Sequence, residues 1–321
     1  MKLSKAIDGF LLDFQAGGHS VGTVKLYKLA LNTLARFLDD PDISRVRQED
    51  LKKFILWLRT GYRPNRPGGA DHPLSESAID NHWKAIRSFW KWAAEALECS
   101  RPDEGLQRTK YQSPVIAPFN ESEVKALLQA CMYTKEYNNP HSSKVYRTRR
   151  PTSDRDAALI LLMLDTGLRV SEIARLRIEQ VDLQTGAVHI LPYGSGQKTK
   201  PRIVYLGKSA KRAVWRYLSS RDEPRRDEAL FLTDSGNSLK ENQIRHLLRY
   251  LGERAAVRDC HPHRFRHTMA IEFIRNRGDV YSLQRLLGHS TLTMCLKYLD
   301  LSRDDVAEAH RRASPADNWK L

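Results

Sequence analysis

Six side chains, spread over four segments, carry the chemistry this sequence could perform. The segments are Thr166-Gly-Leu-Arg169-Val-Ser-Glu172-Ile-Ala-Arg-Leu176, a glycine-bearing turn that holds Lys198, His263-Arg-Phe-Arg266-His267, and Leu287-Gly-His289 with Tyr298 nine residues on. Arg169, Lys198, His263, Arg266, His289 and Tyr298 form an inventory rich in cations and poor in carboxylates, which suits phosphoryl transfer without a metal. A phosphodiester under attack gathers negative charge on its non-bridging oxygens. Forked guanidinium donors, which do not lose their protons, stabilise that charge best. A two-metal nuclease would need clustered Asp and Glu to hold its ions, and no such cluster is present. Each residue alone is a weak signal. A single arginine on a basic protein is usually a solvated charge, His263 and His289 alone would be structural, and Tyr298 could be a surface anchor. His261, His263 and His267 invite a zinc reading, but Pro262 and the lack of thiolate or carboxylate company speak against it.

The elements that must position these residues follow from periodicity. Ile7, Phe10, Leu11 and Phe14 fall on one helical face. So do Tyr27, Leu31, Leu34, Phe37 and Leu38, then Leu51, Phe54, Ile55 and Leu58. After a Pro/Gly-rich break from Gly61 to Pro73 comes a fourth stripe, Ile79, Trp83, Ile86, Phe89, Trp90 and Ala93. Four helices with no strand pattern predict an all-α domain over residues 1–105, and the proline-bearing stretch 106–118 reads as a linker. A capping box at Asn120/Glu123 opens the next helix. Tyr133 to Asp154 is polar and aperiodic. Its Lys135, Lys144, Arg147, Arg149 and Arg150 are candidates for phosphate contact, with a merely solvated loop equally compatible. Helices are expected from Ala157 to Asp165, from Glu172 to Leu176 with Ser171 as cap, and from Ala210 to Ser219. Further helices are expected from Ser238 to Ala255 with a Ser238/Glu241 box, from His263 to Asn276 and from Tyr281 to Leu287. Two strands, Gly186 to Leu191 and Arg202 to Leu206, flank the glycine-bearing turn as a hairpin. The expected fold is therefore mainly α with a small antiparallel β-sheet in a C-terminal domain, 119–321.

Composition narrows the class. The 321 residues carry 53 Lys and Arg against 38 Asp and Glu, a net charge of +15. Through residue 118 the count is 18 against 14, and beyond it 35 against 24, so the second part is the more basic. That balance implies a polyanionic partner, most simply nucleic acid. The four cysteines are scattered with no paired spacing, which argues against a disulfide framework and a thiolate zinc site and suits a reducing compartment. No signal-peptide core opens the chain and no apolar run is long enough to span a bilayer, so a cytoplasmic, nucleoid-associated location is expected, with no membrane partner.

The order and spacing of the four segments closely resemble the tyrosine recombinase (phage integrase) family, its Xer-like branch in particular, over about Asn120 to Asp300. The helical first domain resembles the family's SAM-like core-binding domain by helix count. The resemblance implies that Arg169 and Arg266 clamp the scissile phosphate and that His263 supports it together with the proton movement at the nucleophile. His289 would bond a non-bridging oxygen, and Tyr298 would attack to leave a 3′-phosphotyrosyl bond and a free 5′-hydroxyl. A hairpin lysine would be the general acid. Lys198 keeps the family's offset from Gly194, but the turn is longer by two residues and Lys200 is the alternative. Glu172 and His267 are expected as supporting residues that orient their neighbours. Free tyrosine, with a pKa of about 10, needs such help to act as a nucleophile. The ester conserves the energy of the broken bond, so no cofactor is expected, and the chain has no GxxxxGK[ST] loop. The implied partners are a double-stranded recombination site, a dimer on each site and a tetramer in the synapse, with Val306 to His310 in the segment 302–321 exchanged between protomers. Accessory DNA-bending or directionality proteins are also implied. A DNA-binding protein without cutting activity and a type IB topoisomerase are the competing readings.

Overall fold

The computed structural model describes residues 1–64, 72–108, 116–134, 137–138, 145–193, 200–299 and 314, with the side chains of 137, 138, 145, 146, 297 and 299 left aside. Two compact units meet in sequence between Val115 and Ile116.

The first unit is helical: α1 (Leu3–Ala16), α2 (Val21–Phe37), α3 (Gln48–Thr60) and α4 (Glu76–Leu97). The four apolar stripes become its core, with Ile7, Phe10, Leu31, Leu34, Leu51, Phe54, Leu58, Ile79, Ile86, Phe89 and Trp90 all buried. Each large side chain so buried contributes roughly 1.5–3 kcal/mol relative to exposure. Ser20 and Ser75 cap α2 and α4 by accepting the N–H groups of Thr23 and Ala78. The stretch read as a linker begins inside this unit. Leu106 is buried in its core, its carbonyl accepts the Trp83 indole N–H, and Arg108 donates twice to the buried Asp80 carboxylate.

The second unit contains α5 (Glu121–Met132), a short antiparallel pair β1 (Tyr137–Asn138) and β2 (Val145–Tyr146), α6 (Ser153–Thr166) and α7 (Val170–Ile173). The hairpin β3 (Ala187–Ile190) and β4 (Arg202–Tyr205) follows, then α8 (Lys208–Ser219), α9 (Glu241–Ala255), α10 (Pro262–Arg275), α11 (Val280–Leu287) and α12 (Thr293–Leu299). The observed class is thus mainly α with a small antiparallel sheet. The apolar helix α6 is central and packs against α5, α8 and α10, burying Leu159, Ile160, Leu162 and Met163, as expected for a helix apolar on most sides.

Several boundaries move for local reasons. α9 begins at Glu241, with Gln243 closing the box through the Lys240 N–H, so the expected Ser238/Glu241 box does not form. α7 begins at Val170, capped by Arg169 and Glu172 rather than by Ser171. α10 starts at Pro262, because proline's fixed φ suits a first helical position and the His261 ring accepts the Arg264 N–H. The stretch 133–154 carries a short ladder, and Tyr133 bridges Arg149.

His82 lies in the core of the first unit, and burial pushes its pKa down to about 4. The unfolded ring binds a proton below about 6.5 and the folded ring only below about 4, so stability present above the first value is lost as pH falls toward the second. The full loss is about 3 kcal/mol. His82→Leu should flatten this acid dependence between pH 7 and 4.5. Urea unfolding followed by tryptophan fluorescence reads it, since Trp57, Trp83, Trp90 and Trp92 all lie in this unit.

Candidate active site

Glu172 is the buried carboxylate around which the site forms. Arg169, at the N-cap of α7, donates its backbone N–H to Oε2 at 2.8 Å and its Nη1 to Oε1 at 3.1 Å. From the other side Arg202 grips both oxygens, Nη1 to Oε1 at 2.9 Å and Nη2 to Oε2 at 2.8 Å. Burial pushes the Glu172 carboxyl up, but the Arg202 and Arg169 contacts outweigh it and hold the group below its ordinary value.

Arg202 is the residue that sequence reasoning missed. It pairs with Ile190 in the β3–β4 register, and its side chain is 6% exposed. The signal was present in the alternation: Val204 and Leu206 face inward, so period two turns Arg202 inward as well. Its Nε donates to the Leu286 carbonyl at 2.7 Å. Arg266 on α10 makes the companion contact, Nη2 to the Leu287 carbonyl at 2.7 Å, and holds the Gly167 carbonyl through Nη1 at 2.8 Å. Two guanidiniums therefore clasp consecutive carbonyls at the end of α11. Gly167 and Gly288 end α6 and α11 in the left-handed region, at φ 59° and 64°. A Cβ on Gly288 would stand 3.2 Å from Arg202 Cδ, so glycine is required there on two counts.

Arg266 has no carboxylate partner among the described residues. Burial, with repulsion from Arg169 and Arg202 partly offset by Glu172, lowers its pKa to about 10. It remains a cation at neutral pH whose partners are dipoles, and that charge is available to an anion. His289 is buried, and its pKa is pushed down to about 4 by burial and then by Arg266, Arg169, Arg202 and His263. Its Nδ1 lies 3.2 Å from Cys295 Sγ, a contact the sequence reading did not anticipate. The exposed His263, in the first turn of α10, is depressed by desolvation, Arg266 and His261. Tyr298 is 8% exposed. Its ring lies 6.5 Å from that of His289 and nearly parallel to it, and 5.2 Å from that of His267. Burial raises the Tyr298 pKa, with Arg266 opposing, so the resting phenol is protonated. Desolvation also depresses His267, whose Nε2 is buried without a hydrogen-bond partner among the described residues.

The structure therefore gathers Arg169, Glu172, His263, Arg266, His267, His289 and Tyr298. Lys200 is exposed, and Lys198 lies outside the described residues. Of the basic cluster read as phosphate-binding, Lys135 and Lys144 also lie outside them, and Arg147 is exposed and covers the Tyr133 ring. Arg149 is held by Asp154 at 2.8 Å. Arg150 is corrected to a structural role, because its side chain is 12% exposed and pairs with the buried Asp156 at 2.9 Å. Among the described residues no three His, Cys, Asp or Glu side chains converge as a metal site requires, and no helix is long and apolar enough to cross a membrane.

Residues 117–304 match the model of the phage integrase family. The chain is 27% identical over 304 residues to tyrosine recombinase XerC of Oceanobacillus iheyensis, covering 92% of this chain and 91% of that one. It is 33% identical over 243 residues to tyrosine recombinase XerC of Pelobacter propionicus, covering 75% and 74%. Among solved structures, the Tn1549 transposon integrase in complex with transposon right end DNA has a TM-score of 0.71 at 17% identity, covering 98% of this chain and 100% of that one. A lambda integrase dimer bound to a COC′ core site has a TM-score of 0.69 at 15% identity, covering 92% and 97%. The fold is shared with both. The family model and the relatives define a tyrosine recombinase, an enzyme that transfers DNA strands. The chain belongs to the phage integrase family.

Arg202→Ala would leave Glu172 buried with half its partners and release the Leu286 carbonyl. A loss of about 3 kcal/mol in denaturant unfolding is expected, and an unchanged midpoint would show that Arg169 suffices to neutralise Glu172.

Proposed function

We propose that this protein catalyses site-specific DNA recombination through the residues gathered around Glu172, with Tyr298 as nucleophile. One observation carries the assignment of residues: two guanidiniums, Arg169 and Arg202, share the Glu172 carboxylate, and near an enclosed tyrosine a third, Arg266, keeps its charge with no anionic partner among the described residues. A phosphodiester supplies the missing anion. Tyr298 Oη attacks phosphorus, the bond to the 5′ oxygen breaks, and a 3′-phosphotyrosyl ester remains. The phenolic proton leaves toward His263, and a hairpin lysine protonates the departing 5′ oxygen. Arg169, Arg266 and His289 bond the non-bridging oxygens as charge builds on them. Attack by the 5′-hydroxyl of another strand reverses the step and joins the new pair. One ester replaces another throughout, so the reaction requires no metal and no ATP.

The duplex partner is supported by the net charge of +15 and by the DNA-bound states of the structural neighbours. A dimer on each site and a synaptic tetramer are the assembly proposed. An open groove on the second unit, lined by Val124, Leu164, Met269 and Phe273, offers the segment 302–321 of a neighbouring protomer a place to pack. The proposed domains are 1–105 for DNA clamping and 119–321 for catalysis, and the proposed setting is the nucleoid, where accessory bending or directionality proteins would set the outcome.

Sites selected from random DNA and rebuilt as nicked duplexes should trap a covalent adduct, which Tyr298→Phe should abolish. Absence of adduct on every selected site would indicate a binding protein. Adduct on arbitrary DNA with relaxation by a monomer would indicate a topoisomerase. The general acid can be located separately by placing sulfur at the 5′ bridging position, since a thiolate leaves without a proton. That substrate should restore cleavage to Lys198→Ala and do little for Lys200→Ala, whereas the reverse pattern assigns the role to Lys200.

A further inference from the structure

Cys295 and Tyr298 lie three residues apart on α12 and so share one face of the helix. Cys295 is fully buried within a small cluster formed with Met269, Leu283, Leu287 and Tyr298. Its Sγ lies 3.2 Å from His289 Nδ1. The groups facing His289 are Arg266 and His263 on α10, Arg169 at the start of α7, Arg202 on β4, and Cys295 and Tyr298 on α12. Burial and then the cations among them keep the ring neutral. A neutral imidazole carries one N–H and can place it on either nitrogen, and only the nitrogen that bears the proton can donate to a phosphate oxygen.

The Cys295 thiol also keeps its proton, because burial raises its pKa and Arg266 opposes this only in part. A protonated thiol beside a neutral ring can donate to the lone pair on Nδ1, and in that arrangement the ring proton sits on Nε2. We propose that Cys295 is a positioning residue: its S–H···Nδ1 bond holds His289 as the Nε2–H tautomer, so that His289 can donate to the phosphate only while α12 is seated with Tyr298 in place. The role of Nε2 rests on the recombinase reading of the site, whereas the tautomer and its dependence on Cys295 do not. The cysteine thereby links delivery of the nucleophile to readiness of a phosphate ligand. A tyrosine helix that has swung away leaves a histidine free to take the unproductive tautomer.

Ring-nitrogen chemical shifts of the full-length, 15N-histidine-labelled protein test this directly without DNA, with His289 assigned by comparison with His289→Gln. The wild type should show protonated Nε2 and bare Nδ1. Cys295→Ala and Cys295→Val, the latter filling the volume without a donor, should move the ring toward the other tautomer, and Cys295→Ser should retain the first. On a nicked duplex carrying a selected site, the alanine and valine variants should cleave roughly tenfold more slowly and the serine variant within about threefold of wild type. A wild-type ring protonated at Nδ1, or a valine variant with wild-type shifts and rate, overturns the proposal. Failure of the wild-type protein to form an adduct on any site overturns the recombinase reading instead, and the shifts still decide the role of Cys295.

Discussion

A carboxylate with no solvent exposure, set among arginines, is costly to bury and equally costly to lose, and Glu172 occupies that position here. Two guanidiniums about 4 Å apart repel by about 4 kcal/mol at an effective dielectric of 20. Arg169 and Arg202 approach one another only because both oxygens of Glu172 lie between them. Arg202 then reaches the Leu286 carbonyl, and Arg266 takes the next one. The turn that presents His289 is thereby fixed to the same carboxylate as the cap of α7. One short side chain thus ties together a helix start, a strand and a helix end that are far apart in sequence.

The charge left over after this neutralisation is the feature on which the proposed function rests. Glu172 satisfies part of the positive cluster, while among the described residues Arg266 is held only by carbonyl dipoles. The same burial that makes the site a strong anion trap depresses His289 and raises Tyr298. In the resting site both groups are neutral, and the arginines supply the charge. On the function proposed above, a phosphodiester entering this environment would meet preorganised donors that need not reorganise as the pentavalent state forms, which is where electrostatic catalysis is most effective. The raised pKa of the enclosed tyrosine is the cost of that arrangement, which a bound phosphate with an adjacent proton acceptor would offset.

Within the catalytic unit, glycine and proline set the frame. Gly167 and Gly288 end helices in a backbone region that other residues enter at a cost, and the carbonyl of one and that of the residue before the other become arginine acceptors. Pro262 starts α10 so that His263 and Arg266 fall within its first two turns. Carbonyls that helix ends leave unpaired are here bound by Arg202 and Arg266, so termination of a helix and construction of the candidate site are the same event.

The sequence by itself determined the class of fold and named most of the residues that the structure gathers. Helical stripes at i, i+3 and i+4 predicted much of the core of the first unit, with Phe14, Tyr27, Phe37, Leu38, Ile55 and Trp83 only partly buried at its edge, because burial of one face is what makes a helix stable in a protein. The spacing of Arg169, His263, Arg266, His289 and Tyr298 carried the proposed chemistry, because that set of donors suits holding a phosphate. Tertiary structure alone decided which charges were committed elsewhere. Arg150 looked like a phosphate contact and is bound to Asp156. Arg202 looked like a strand residue and is the second partner of Glu172. Cys295 carried no signal in the sequence and meets His289 across a turn. Charge and hydrogen-bonding capacity belong to residue types and can be read from sequence. How those capacities are paired depends on which distant groups the packing brings within about 3 Å, and the periodicity of a single segment does not contain that.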